Sequence, residues 1–387
     1  MSASEPLRIG FVAGESSGDQ LGAALIAALR RRVPALQCCG VAGPRMRAAG
    51  CEAWASADEL AVMGLIEPLK HLPRLLRLRR LLHRRFAAER PKVFVGIDAP
   101  AFNIGLAAGL RRAGLKTVQY VSPQVWAWRQ SRVRKIARAC DLVLCLLPFE
   151  TEFYQRHGVR AVFVGHPLAD QIPLEVDRAG ARAALGLDSG STVVALLPGS
   201  RLGEVQRLGE DFLGAARWLE ARRPGIQFVA PMASARVRRL FERQCAALGM
   251  HAVRVLEGRA HEALAAADAV LVASGTATLE TLLSKRPMVV AYRFGALTAF
   301  LLRRLALVKV PYFSQPNLLV GRRLVPEFFQ GAVTPEALGG ALLAELEDPR
   351  RAAELEEAFT RVHTELRRDG AARAAAAILE LAGEVPA

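Results

Sequence analysis

Residues 93–103 read VFVGIDAPAFN, and this stretch decides the fold. Its first five residues are apolar and rich in β-branched side chains, which is typical of a buried strand in a parallel sheet. Asp98 follows directly, at the strand end where open α/β sheets place their ligand crevices. Partial burial would raise the pKa of its carboxyl and make it a candidate base. The simpler interpretation is that Asp98 caps the next helix or holds the Pro100 turn.

The same strand, turn and helix pattern opens the chain. Leu7–Ala13 is an apolar strand candidate, GESSGD spans Gly14–Asp19, and a helix is predicted for Gln20–Arg32. Free amides at the start of a helix can hold an anion. The motif is not GxGxxG, so a dinucleotide site is not indicated. A turn capped by a serine explains the motif equally well.

Residues 68–90 form a basic amphipathic helix by their pattern. Leucines and Phe86 share one face, and arginines share the other, with Arg79 and Leu81 as exceptions. The leucines either pack on the sheet or lie on an anionic membrane. The apolar loop candidate at residues 62–66 favours the membrane. The candidate membrane residues are Leu72, Leu75, Leu76, Arg77, Arg80 and Arg84.

An aromatic loop, SPQVWAW at Ser122–Trp128, follows the strand candidate at residues 117–121. Two of the four tryptophans lie there, either as contacts for a sugar face or acyl chain, or as core packing. The Gly165–Pro167 turn is interpreted as the domain junction.

The second half repeats the strand-to-loop logic. A strand at residues 192–197 leads into PGSR, where Gly199, Ser200 and Arg201 could bind a phosphate. A strand at residues 269–273 leads into SGTATLE, Ser274–Glu280. Its Ser274, Gly275, Thr276 and Thr278 suit a helix cap or a nucleotide, and Glu280 suits ribose hydroxyls or the helix dipole. An amphipathic segment is expected at residues 294–308, and a long polar loop at residues 316–330.

The totals exclude several classes of protein. A chain of 387 residues, 52% hydrophobic, fits two folded domains. No apolar run reaches the roughly 18 residues of a membrane span, and no signal peptide or metal motif is visible. Six cysteines without a zinc pattern are interpreted as free thiols of a reducing cytoplasm. The net charge of +15 indicates an anionic partner, either nucleic acid, anionic lipid or a phosphorylated substrate.

The expected fold is α/β, with two Rossmann-like domains facing a cleft, as in B-type glycosyltransferases. The predicted boundaries are 1–167 for an acceptor and membrane-facing domain and 168–365 for a UDP-sugar domain. Residues 366–387 are expected to form a helix that crosses back to the first domain.

Seven motifs in order make the chain resemble the lipid-A-disaccharide synthase family. They are GESSGD, IDAPAFN, YVSPQVWAW, FVGHPL, LLPGSR, ASGTATLE and PNLLVGRRLVPEFFQ. The resemblance implies an inverting transfer from UDP-2,3-diacylglucosamine to 2,3-diacylglucosamine 1-phosphate, giving the β-1,6-linked lipid A disaccharide 1-phosphate and UDP. It implies a cytoplasmic enzyme at the inner membrane, with no cofactor and with a homodimer as one option.

The resemblance also assigns residues. Asp98 would be the base, with Arg201 and Asn317 also catalytic, while Glu15, Ser17, Glu327 and Gln330 would join the PGSR and SGTATLE residues in binding. Two alternatives remain open. The first is another B-type UDP-sugar transferase with a lipid-linked acceptor, and the second is a basic nucleic-acid-binding protein, which the low aromatic content and the missing motifs disfavour.

Overall fold

The protein is described from a computed structural model, which covers residues 6–61, 68–127, 130–295 and 312–384. The chain divides into two compact units. The first unit is Met1–Asp170 with Leu366–Ala387, and the second is Gln171–Glu365. The expected apolar loop at 62–66, Trp128 and most of the expected segment 294–308 lie outside the described residues.

The first unit is built on a parallel sheet of seven strands in the order β3-β2-β1-β4-β5-β6-β7. Its central strand β4 is buried along its whole length, and its neighbour β1 is buried from the second residue onward, as is typical of a parallel sheet covered on both faces. The strands are β1 (Arg8–Ala13), β2 (Gln37–Ala42), β3 (Cys51–Ser56), β4 (Val93–Ile97), β5 (Lys116–Tyr120), β6 (Leu142–Cys145) and β7 (Ala161–Phe163). The predicted strand at residues 93–97 is therefore confirmed, whereas β3 was not expected.

The helices of this unit follow the strands. They are α1 (Glu15–Arg32), α2 (Pro44–Ala48), α3 (Asp58–Ala61), α4 (Pro68–Glu89), α5 (Pro100–Arg112), α6 (Val133–Ala139), α7 (Pro148–Gln155) and α8 (Pro167–Gln171). Helix α1 begins at Glu15, five residues earlier than predicted, so GESSGD forms the first turn of a helix instead of a separate turn.

The second unit repeats the architecture with six parallel strands in the order β10-β9-β8-β11-β12-β13. The strands are β8 (Val193–Leu197), β9 (Gln227–Met232), β10 (Arg254–Glu257), β11 (Ala269–Ala273), β12 (Met288–Tyr292) and β13 (Glu327–Phe329). The helices are α9 (Arg178–Leu185), α10 (Leu202–Glu220), α11 (Ala235–Ala247), α12 (Ala260–Ala266), α13 (Thr276–Leu283), α14 (Gln315–Val320), α15 (Pro335–Glu347) and α16 (Pro349–Leu366). The region 316–330 therefore contains α14 and β13, where an extended loop was expected.

The last helix, α17 (Gly370–Ala382), packs in the first unit. Its Ala374, Ile378 and Leu379 join the core formed by β1, β4 and α1. The Asp170 carboxylate fixes the start of this helix, because it accepts hydrogen bonds from the amides of Asp369 (3.0 Å) and Gly370 (2.8 Å).

Each sheet has one point where the strand order reverses, between β1 and β4 in the first unit and between β8 and β11 in the second. Open α/β sheets bind ligands beyond the carboxyl ends of the strands at this point. The predicted fold class of two Rossmann-like α/β units is confirmed. None of the described helices is long and apolar enough to cross a membrane.

Candidate functional site

Asp98 lies directly beyond β4, at the reversal point of the first sheet. Its amide donates to the carbonyl of Tyr120 at 2.9 Å, which extends the β4–β5 pairing by one residue. Its own carbonyl accepts from Asn103 Nδ2 at 2.8 Å and from Gln119 Nε2 at 3.0 Å. Both carboxamides are buried, so the backbone of Asp98 is clamped from two sides.

The clamp holds an unfavourable backbone conformation. Asp98 has φ of 50° and Ala99 has φ of 40°, which lie in the left-handed region that residues other than glycine rarely adopt. Glu15 and Val121 also have positive φ, at 59° and 71°, and they follow the neighbouring strands β1 and β5. Strain of this kind persists only where the surrounding structure enforces it, and it concentrates at functional sites.

Burial raises the pKa of the Asp98 carboxyl above its usual range, and a hydrogen bond from the Ala99 amide lowers it in part. The side chain is partly exposed, so a ligand can reach it. A carboxylate with a raised pKa is a stronger base than an ordinary aspartate, and this suits proton removal from a hydroxyl.

The GESSGD motif lies against this loop. A Cβ on Gly14 would come within 2.8 Å of the Cβ of Ala99, so the approach needs glycine. Glu15 and Ser17 are exposed in the first turn of α1. Asp19, which was not singled out, is buried and accepts from the amides of Arg45 (2.9 Å) and Met46 (3.0 Å), so it caps α2.

The aromatic loop is anchored by Glu150, a buried carboxyl on α7. Glu150 accepts hydrogen bonds from the Ser122 hydroxyl, from Trp126 Nε1 at 3.0 Å and from the Leu147 amide at 3.0 Å. Burial raises the pKa of Glu150, and these donors oppose the rise. The Trp126 N–H therefore serves to hold the loop, while Trp128 is outside the described residues.

In the second unit, a cavity of about 400 Å³ opens at the reversal point between β8 and β11. Both predicted loops line it, and so do residues that follow β9 and β10. Its walls include Gly199, Ser200, Arg201, Glu204, Ser274, Gly275, Thr276 and Glu280. Six of the predicted binding residues and Arg201, predicted as catalytic, thus share one cavity, of a size typical for small-molecule sites.

The PGSR loop differs from the expectation that its amides are free. The Glu204 carboxylate accepts from the amides of Ser200 (2.9 Å) and Arg201 (3.2 Å), and it pairs with the Arg201 guanidinium at 3.0 Å. Two of the amides expected to hold a phosphate are therefore occupied. The Arg201 side chain remains 67% exposed, so it can reach an anion.

The SGTATLE loop supplies the open helix start. Helix α13 has no side-chain cap, and Gly275 and Thr276 at its start are exposed. Thr278 is buried, and its hydroxyl donates to the Gly275 carbonyl at 2.7 Å, so its role is to hold the turn. Burial raises the pKa of Glu280, whereas nearby His261 lowers it.

Asn317 lies in a closed hydrogen-bond network. The side chain is fully buried, and its Nδ2 donates to the Val325 carbonyl (2.9 Å) and to Glu327 Oε1 (2.8 Å). Its Oδ1 accepts from the amides of Leu324 (2.7 Å) and Val325 (2.8 Å). A carboxamide has two donor hydrogens and two acceptor positions, so all four are used within the protein.

Glu327 connects this network to the cavity. Besides Asn317, it accepts from the Ser314 amide (2.8 Å) and the Phe313 amide (3.1 Å), and the Phe313 carbonyl accepts from the Ser274 hydroxyl at 2.8 Å. Gln330 follows β13 with φ of 54°, and its Nε2 is buried without a hydrogen-bond partner in the described part of the chain. Asn317, Glu327 and Gln330 do not line the cavity itself.

The predicted membrane residues of α4 are partly buried in the core and partly exposed. Leu75 is buried against the sheet, and Leu78, Leu82 and Phe86 are buried beside it, as the packing interpretation expects. Leu72 is 46% exposed, and Leu81 is 57% exposed. Leu76 is partly buried, and Arg77, Arg80 and Arg84 are exposed.

Three side chains that hold these loops were given no role by the sequence reasoning, namely Asn103, Gln119 and Glu204. Asn103 is inside the IDAPAFN motif, so its place beside Asp98 offered a signal. Gln119 is a polar residue in an otherwise apolar strand, and a polar side chain at such a position needs a hydrogen-bond partner. Glu204 stands three residues after Arg201, at the spacing of a helix-capping carboxylate.

The comparisons with known proteins agree with this geometry. The family model for lipid-A-disaccharide synthetase matches residues 9–382. The chain belongs to this family. A lipid-A-disaccharide synthase from Azotobacter vinelandii is 56% identical over 378 residues, covering 97% of this chain and 98% of the relative. One from Pseudomonas aeruginosa is 54% identical over 375 residues, covering 97% and 98%.

Solved structures share the fold at low identity. A UDP-GlcNAc 2-epimerase from Neisseria meningitidis, bound to UDP-GlcNAc, has a TM-score of 0.64 at 11% identity and covers 97% of this chain and 99% of its own. A glycosyltransferase from Rickettsia africae has a TM-score of 0.61 at 10% identity, covering 98% and 99%. The predicted B-type glycosyltransferase fold and the predicted activity, formation of the lipid A disaccharide, are confirmed.

Proposed function

We propose that this enzyme transfers 2,3-diacylglucosamine from its UDP derivative to the 6-hydroxyl of 2,3-diacylglucosamine 1-phosphate, with inversion and with Asp98 as the base. The observation that carries the proposal is the clamped, partly buried Asp98 at the reversal point of the first sheet. Names of the relatives support the product, and the geometry supports the assignment of roles.

The proposed reaction uses groups at the carboxyl edges of both sheets. The Asp98 carboxylate takes the proton of the acceptor hydroxyl while the hydroxyl oxygen forms a bond to the anomeric carbon of the donor. The bond from that carbon to the diphosphate oxygen breaks on the opposite face, which inverts the configuration and releases UDP. Negative charge grows on the departing diphosphate, and exposed amides at the start of α13 and the Arg201 guanidinium would stabilise it.

We assign the acceptor to the first unit and the donor nucleotide to the second. The cavity between the loops after β8 and β11 combines an open helix start, an arginine and the Glu280 carboxylate. An anion suits the first two groups, and ribose hydroxyls suit the carboxylate. Glu327 and Asn317 are proposed to support this cavity through Phe313 and Ser274, and Gln330 is proposed as a further binding residue.

We also propose that the enzyme works on the cytoplasmic surface of the inner membrane. Both lipid substrates carry acyl chains, and α4 presents exposed Leu72 and Leu81 beside exposed Arg77, Arg80 and Arg84. Exposed leucines next to arginines are the pattern by which a helix lies on an anionic lipid surface.

The test is UDP release in detergent micelles, with the donor alone and with the acceptor added. We expect release to depend on the acceptor and to fall about 10²- to 10⁴-fold in Asp98→Asn, because that is the usual loss for a missing base. UDP affinity and Tm should stay unchanged, and the exposed carboxyl variant Asp58→Asn is the matched control. Near-normal turnover of Asp98→Asn would exclude Asp98 as the base.

A further inference from the structure

A second cavity, of about 570 Å³, lies in the first unit on the outer side of α5. Helix α5 begins two residues after Asp98, so the cavity starts beside the proposed base and continues along the helix. Pro100, Ala101 and Pro123 line it near the carboxyl edge of the sheet. We define this cavity, with its walls on α5 and α6, as the α5–α6 groove.

The floor of the groove is apolar because of the sequence of α5. Ala101, Ile104, Gly105 and Ala108 recur at helical spacing on the side of α5 that is exposed or only partly buried. Alanine at two of these positions leaves space that larger side chains would fill, whereas the Arg79 side chain occupies the space beside Gly105. From Ala101 to Ala108 the groove extends for roughly 10 Å, at 1.5 Å per residue.

Cations line the opposite wall. Lys135 and Arg138 of α6 border the groove and are exposed, and the described part of the chain shows no acidic partner for either. An apolar channel with a cationic rim has the chemistry to hold a hydrocarbon chain and a phosphate of the same molecule.

From this arrangement we infer that the α5–α6 groove binds the acceptor lipid, with one acyl chain along α5 and the phosphate against Lys135. The inference rests on the proposed function and adds a subsite to it. The donor is less suitable, since its phosphates belong to UDP and the cavity proposed for UDP is in the second unit. Groove and base are adjacent, so an acceptor held here would place its sugar near Asp98.

The first test fills the groove with Ala108→Leu, about two helical turns from Asp98. The variant adds three carbon atoms and should displace about three methylenes, each worth about fourfold in affinity. We expect the KM for the acceptor to rise by up to roughly 60-fold, with the donor KM and kcat unchanged. With an acceptor shortened by three carbons, the unmodified enzyme and the variant should have nearly the same acceptor KM, because the displaced methylenes are then absent from both complexes. The control is Ala246→Leu, at an exposed alanine of α11 in the other unit.

The second test reverses the charge at Lys135. Lys135→Glu should raise the acceptor KM by roughly tenfold or more, because a charge-assisted contact to the phosphate is lost. Arg134→Glu, at the neighbouring exposed position outside the groove, is the matched control. The effect should be seen in neutral detergent micelles and should disappear with an acceptor that lacks its phosphate. An effect that needs anionic lipid would assign Lys135 to a membrane headgroup and overturn the inference.

The outcomes separate the inference from the function that it extends. Acceptor-dependent UDP release with an unchanged acceptor KM in both Ala108→Leu and Lys135→Glu would overturn the inference alone. If these two variants raise the donor KM instead of the acceptor KM, the inference is also overturned. Absence of acceptor-dependent release by the unmodified enzyme would overturn the proposed function, and the acceptor subsite with it.

Discussion

Replacement of Asn317 by alanine tests whether this residue acts on the substrate or on the protein. The change deletes four hydrogen bonds and leaves three buried backbone groups without a partner, namely the Val325 carbonyl and the amides of Leu324 and Val325. Each unsatisfied group costs about 1–3 kcal/mol. We take the lower end, because water can enter the space that the side chain leaves. The free energy of unfolding should therefore fall by about 3 kcal/mol.

This loss should be visible as a change in Tm. For a unit of this size, 1 kcal/mol corresponds to about 2–4 °C, so Asn317→Ala should lower the Tm of the second unit by about 6–12 °C. Hydrogen exchange of the Leu324 and Val325 amides should accelerate, because Asn317 Oδ1 is the acceptor for both. Turnover should fall as well, because Glu327 loses one of the donors that fix it.

A double-mutant cycle with Glu327→Ala completes the experiment. The two side chains meet at 2.8 Å, so their effects on Tm should not add. Thr276→Ala, a change at an accessible position in the same unit, is the control for Tm. If Asn317→Ala leaves the Tm and the amide exchange unaltered while turnover falls about 100-fold, the reasoning is refuted, and Asn317 contacts the reacting groups directly.

Three further predictions concern the base, the nucleotide and the membrane. We expect kcat/KM to fall as the pH is lowered, because a base must be deprotonated to act. Burial raises the pKa of Asp98, so the fall should be centred at a higher pH than the pKa of about 3.9 of an ordinary aspartate. A fall centred at or below that value would contradict the assignment. Glu280→Gln should weaken UDP binding, measured by calorimetry, and leave Tm equal or higher, since it removes a buried carboxyl; unchanged affinity would exclude a nucleotide contact. Replacing three arginines of α4 by glutamate should weaken binding to anionic vesicles by at least about 100-fold at low salt, because each lost charge is worth about 1 kcal/mol. An equal loss of binding in the control variant would show that α4 does not contact the membrane. The replaced arginines are Arg77, Arg80 and Arg84, and the control replaces Arg236, Arg239 and Arg243 of α11.

The parts of the fold that sequence predicts are those set by local pattern. A central strand of a parallel sheet is buried on both faces, so Val93–Ile97 is an uninterrupted apolar run, and the polar residue that ends it is visible at once. The strands before PGSR and SGTATLE show the same pattern, which is why their loops could be placed at strand ends. Edge strand β3 has exposed and partly buried residues, and this is why it escaped the prediction.

The parts that sequence misses depend on contacts between distant residues. Asn103 donates to the carbonyls of Val12 and Ile97 at 3.3 Å and to Asp98 at 2.8 Å, which requires β1 and β4 to be neighbours. A sequence shows an asparagine after a strand, but it does not show that the side chain is buried. The same limit applies to Asn317, whose polar character indicates an active site although its four hydrogen bonds are all internal.

The carboxyl edges of the two sheets carry groups of opposite charge, a carboxyl in the first unit and positively charged groups in the second. In the first unit, the loops around Asp98 have positive φ angles at Glu15, Asp98, Ala99 and Val121, and burial raises the pKa of the Asp98 carboxyl, which suits its proposed role as the base. In the second unit, the uncapped start of α13 and the exposed Arg201 guanidinium provide positive charge, and Glu204 limits how many amides remain free. Because Glu204 holds the amides of Ser200 and Arg201, a diphosphate bound as we propose would have the α13 amides as its main backbone donors. Charge neutralisation of UDP in this enzyme should therefore depend more on the SGTATLE loop than on PGSR, with Arg201 acting through its side chain alone.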